Sequence, residues 1–78
     1  MKSLFEKGPV FVLDVVRDEV EWFFGDCEGQ GIGSSDINAC LKSICGTVCN
    51  DANLENYNPV ELSMVRTAIS NALFDLEV

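Results

Sequence analysis

The chain has 78 residues, five basic side chains against thirteen acidic, a formal charge of −8 and no histidine. That length allows one domain, residues 1–78, and 47% hydrophobic with 23% charged residues lies outside the disordered class. The negative charge argues against direct binding to nucleic acid or anionic lipid, and the missing histidine removes the usual general base and the commonest zinc ligand.

The opening stretch, MKSLFEKGPVFVLDVV, sets a lysine before an apolar run. Asp14 interrupts the run and no small-residue cleavage site follows, so it reads as a poor signal peptide. No stretch approaches the roughly 18 apolar residues of a membrane span. The expectation is a cytoplasmic protein with its four cysteines reduced. A disulfide-stapled chain is the competing reading for four cysteines in so short a sequence.

The periodicity predicts an all-α fold: a three-helix bundle with helices over 9–24, 35–49 and 59–77, two long polar loops, and a short fourth turn within 2–7. Gly8-Pro9 opens the first helix, with proline at a position that needs no donor. Asp14, Arg17, Asp18 and Glu21 then mark a polar stripe, with Val12, Val16, Val20 and Phe23 opposite. Residues 25–34, GDCEGQGIGS, carry four glycines and read as a loop. Ser34-Ser35-Asp36 is a capping cluster for the second helix. Ile37, Cys40, Leu41, Ile44, Cys45 and Val48 follow as its apolar face, and Asn50 with Asp51 end it. Residues 50–58, NDANLENYN, read as the second polar loop. Asn58-Pro59-Val60-Glu61 is a cap, a first-turn proline and an acid three residues on. Leu62, Val65, Ile69, Ala72, Leu73 and Leu76 line the third helix. Both loops are longer than bundle connections usually are.

The two loops repeat weakly at an offset of 25: Asp26 with Asp51, Glu28 with Asn53, Asp36 with Glu61. Oxygen donors at alternate positions and a closing acid suggest calcium loops of the EF-hand kind. Each is one residue short, the first closes on Asp, and Asn56 stands where the sharp turn takes glycine. Asp26, Glu28, Asp36, Asp51, Asn53 and Glu61 would be the ligands. The simpler reading is two polar loops that each end in an acidic helix cap, with no metal and no cofactor.

Cys40 and Cys45 fall in the apolar arc of the second helix and read as small core hydrophobes. A cysteine-ligated metal or redox module would need Cys27, Cys40, Cys45 and Cys49 to converge. No C-x-x-C pair, phosphate loop, dinucleotide fingerprint or nucleophile elbow occurs, so no enzyme is expected. The glycine run at 29–33 has no strand before it, which leaves a phosphate cradle poorly supported.

The apolar arc of the first helix spans roughly 220° on a helical wheel. Glu19 falls inside it, which predicts a snorkelling carboxylate or a bridge to Lys42 or Arg66. Phe11, Val15 and Trp22 lie on its outer flank, and Val60 and Phe74 lie opposite the core stripe of the third helix, with Met64 nearby. Leu4 and Phe5 are the local candidates to cover that surface; a protein partner or a homodimer seam is the other. Asp14, Asp18 and Glu21 form an acidic face beside it. Together these predict a non-enzymatic adaptor or inhibitor that binds a protein with a basic surface. A phage- or plasmid-type inhibitor of a nucleic-acid-handling enzyme fits that size and charge. The expected anchors are Trp22 and Phe74, because large aromatics dominate interface energetics. The expected contact surface is Phe11, Val15, Trp22, Phe74 and Val60, steered by Asp14, Asp18 and Glu21.

Overall fold

In a computed structural model, which describes residues 1–25 and 31–76, the chain forms three α-helices: α1 (Pro9–Phe24), α2 (Ser34–Cys49) and α3 (Pro59–Leu76). The predicted boundaries hold to within one residue at each end. Short 3-10 turns at Leu4–Lys7 and Leu54–Asn56 precede α1 and α3. The first is the predicted fourth turn; the second lies inside what reads in sequence as plain loop.

The helices run up, down and up. Glu19 of α1 meets Ser43 and Thr47 of α2. Leu13, Val16 and Arg17 line one groove with Ala68, Ala72 and Asp75, so α1 and α3 are parallel neighbours. The core follows the predicted stripes except at the end of α1, where Phe24, four residues after Val20, continues the buried row and Phe23, expected in it, is 37% exposed. Val12, Val16 and Val20 of α1 pack with Cys40, Leu41, Ile44, Cys45 and Val48 of α2 and Leu62, Val65 and Ile69 of α3. Each Val, Leu or Ile so buried contributes roughly 1.5–3 kcal/mol relative to exposure.

Local chemistry sets the ends. Gly8 joins the first 3-10 turn to α1 at φ 104°, a conformation that suits glycine. Asn50 ends α2 in the left-handed region at φ 57°, where asparagine is tolerated better than most side chains. The start of α2 differs from expectation: Gly33 is the N-cap, and Asp36 reaches back to accept from its N–H at 2.9 Å. The acid in the capping cluster acts, while the serines sit inside the first turn. Asn58 caps α3 as predicted, its Oδ1 accepting from the Val60 N–H at 2.8 Å.

Residues before Gly8 close the base of the bundle. Leu4 is fully buried, with its turn against all three helices. The Lys2 N–H donates to the Asn56 carbonyl at 2.7 Å, Lys2 bridges to Tyr57 in parallel, and its Nζ lies 3.3 Å from Asp51. Glu61 Oε2 accepts from Ser3 Oγ at 3.0 Å and from the Phe5 N–H at 3.4 Å. The acid that a capping box would turn back on its own helix is given to this strap instead.

The structure corrects three further expectations about single residues. Tyr57, read as part of a polar loop, is 2% exposed and belongs to the core. Val15, placed on the outer flank of α1, is 9% exposed and belongs to the core; it lies one turn before Glu19, on the side that meets α2. Glu19 pairs with neither Lys42 nor Arg66; it takes hydroxyls from Ser43 at 2.9 Å and Thr47 at 3.3 Å, while Arg66 turns to Asn38.

Candidate interaction surface

Of the five apolar side chains expected at a contact surface, Val15 is in the core and three of the other four stand clear on α1 and α3: Trp22 at 85% exposed, Phe74 at 68% and Val60 at 65%. Phe11 is partly covered at 42%. Asp14, Asp18 and Glu21 are all exposed. Leu4 and Phe5 therefore cover the base of the bundle and leave the upper part of α1 open.

These residues do not make one patch. Phe11, Asp18 and Trp22 recur at i, i+7 and i+11, so they share one side of α1. That side lies beyond Glu19, which faces α2. Phe74 lies on α3 opposite its buried Val65 and Ile69 stripe, away from α1. Trp22 and Phe74 thus sit near the same end of the bundle but on different sides of it.

The α1 side is consistent in its chemistry. Phe11 and Trp22 are about 16 Å apart along the helix at 1.5 Å per residue. Asp18 lies between them, with Asp14 and Glu21 at its edge. Arg17, the one cation of α1, points instead into a groove with Val20, Glu21, Ala72 and Asp75. Along that second side run three further apolar residues. Val10 is 71% exposed, Leu13 52% and Met64 56%. The wheel does not find Leu13: it lies about 20° from Val20 and from Phe24, both buried, yet is itself half exposed.

The residues of the calcium alternative are occupied by the protein itself. Asp51 accepts from the Asn53 N–H at 2.9 Å and from Asn56 Nδ2 at 2.8 Å, and pairs with Lys2. Those hydrogen bonds, first that from the Asn53 backbone, hold its carboxyl below the usual range. Asn53 accepts from the Glu55 N–H at 3.1 Å, and Glu61 holds the strap. Asp36 caps α2 at the other end of the bundle from these. Asp26 and Glu28 lie outside the described residues, as does Cys27. Among the described residues no group of three or more metal-binding side chains gathers.

Cys40 and Cys45 are fully buried, and Cys49 is half-buried with its thiol 3.7 Å from the Ser3 carbonyl. Burial, with Glu19 nearby, pushes the Cys40 thiol up to about 12. Burial also pushes Cys45 up to about 11. Such thiols stay protonated and are poor nucleophiles and poor metal ligands at neutral pH. Among the described residues no helix is long and apolar enough to cross a membrane.

No family model matches the chain, and no curated protein or solved structure matches it.

Proposed function

We propose that this chain is a non-enzymatic protein-binding module, an adaptor or inhibitor that engages a partner with a basic surface through the outer side of α1. One observation carries the reading: an exposed tryptophan and a half-exposed phenylalanine flank an exposed aspartate on the same side of one helix, with two more acids alongside. Trp22 supplies a large anchor that gains most from being desolvated by a partner. Asp14, Asp18 and Glu21 steer a cationic partner and fix its register. A phage- or plasmid-type inhibitor that occupies the basic groove of a nucleic-acid-handling enzyme belongs to this class. The reading sets the protein in the cytoplasm, where its free thiols stay reduced.

Affinity capture from lysate of the source cell tests it, with wild type, Trp22→Glu and Phe74→Glu side by side. A partner held by wild type and Phe74→Glu and lost with Trp22→Glu supports the reading. A partner indifferent to Trp22→Glu contradicts the assignment to α1, and an empty capture contradicts the class.

A further inference from the structure

A second copy of this chain cannot use the outer side of α1, because two such faces would set carboxylate against carboxylate. The face shared by α1 and α3 has different chemistry. Its lower tier is apolar: Val10 and Leu13 on α1, Met64 on α3, all more than half exposed, over half-buried Ala68. Its upper tier holds both signs of charge, with Arg17 lining one groove with Glu21 and Asp75. Arg17 is exposed and makes no ion pair among the described residues.

We propose that this face is the seam of a homodimer whose two-fold axis runs parallel to the helices. The parallel course of α1 and α3 decides the geometry. Leu13 lies level with Ala68, and Arg17 with Ala72 and Asp75. A two-fold axis along the helices sets α1 of one copy against α3 of the other at the same height. Apolar tier then meets apolar tier, and Arg17 meets Asp75 of the partner subunit, twice by symmetry. An axis across the helices would lay the charged tier of one copy on the apolar tier of the other, which strands the charges on apolar surface. Arg17 calls for an acid opposite it beside an apolar tier, and a second copy supplies both at the matching heights, so the occupant that satisfies both tiers is the chain itself. The proposed seam shares only Glu21 with the outer side of α1, and its test is separate from that reading.

Sedimentation equilibrium of the full chain from low to high micromolar concentration tests it. Wild type should show twice the 8.6 kDa chain mass. Leu13→Glu should weaken association by about tenfold or more with the helical circular dichroism retained, since Leu13 is half exposed in the monomer. Arg17→Asp should also weaken it, and adding Asp75→Arg should restore it. Both are surface positions, so this pair keeps the test valid even if Leu13→Glu unfolds. Trp22→Glu should stay dimeric while losing the lysate partner. A monomer at every concentration overturns the proposal, as does a dimer that Trp22→Glu breaks and the Arg17–Asp75 exchange leaves untouched.

Discussion

The Tyr57 hydroxyl donates to the backbone carbonyl of Cys45 at 3.3 Å, fastening the segment that enters α3 to the last turns of α2 from the inside. The same hydroxyl also bonds the Asp51 carbonyl, just past the end of α2. Burial drives its phenol well above the ordinary value, so it remains a donor. Tyr57→Phe keeps the ring and removes the donor; it should cost about 1–2 kcal/mol. Urea unfolding should show a lower midpoint with an unchanged slope. Tyr57→Ala removes the ring as well and should cost about 3–5 kcal/mol.

Leu4 tests the strap. It is fully buried at the base of the bundle, and Glu61 holds the Ser3 hydroxyl and the Phe5 N–H on either side of it. Leu4→Ala should cost about 2–5 kcal/mol, as a cavity between three helices that cannot all close on it. Glu61→Ala should cost less, about 1–2 kcal/mol, by freeing Ser3 and the Phe5 N–H. Hydrogen exchange at the Phe5 amide should rise in both variants.

Cys40 and Cys45 make the fold sensitive to alkali. Their folded pKa values are raised from 9.0 to about 12 and about 11. Their contribution is therefore full below pH 9 and is lost as pH rises toward the folded values, because the unfolded chain releases its thiol protons first. The urea midpoint should fall as pH rises from 9 to about 11. Cys40→Ala with Cys45→Ala should lower stability at neutral pH and flatten that fall. A midpoint that is level across this range would contradict the burial of both thiols.

Calcium should have little effect. Asp51, Asn53 and Glu61 already spend their oxygens on the Asn53 and Glu55 amides, Lys2, Asn56 and the strap. A calcium titration to millimolar should leave Trp22 emission and the thermal midpoint unchanged. A saturable change in either would assign the loops a ligand.

The architecture was legible because its signals are local. Proline at the first helical position, the Asn58 cap and the 3.6-residue spacing of Ile37, Cys40, Leu41, Ile44, Cys45 and Val48 name the helices directly. What escaped depends on contacts between distant residues. Tyr57 sits among asparagines and acids, and its burial comes from a partner on α2. Glu19 found Ser43 and Thr47 rather than a cation because the antiparallel register of α2 puts hydroxyls, not Lys42, opposite it. Exposure at the proposed contact surface was half legible. Exposure of Trp22, Phe74 and Val60 followed from the wheel, but a wheel for one helix does not say which neighbour covers which flank. That is why Val15 proved buried, and why Trp22 and Phe74 proved to lie on different sides.

The most direct test of the account replaces the acids of α1 and leaves its aromatics in place. Wild type and an Asp14→Asn, Asp18→Asn, Glu21→Gln variant would be used in parallel capture from source-cell lysate, at low and at high salt. A basic partner should be held by wild type at low salt, weakened at high salt, and lost in large part with the neutral variant. A partner captured equally by both proteins, with no response to salt, would contradict it.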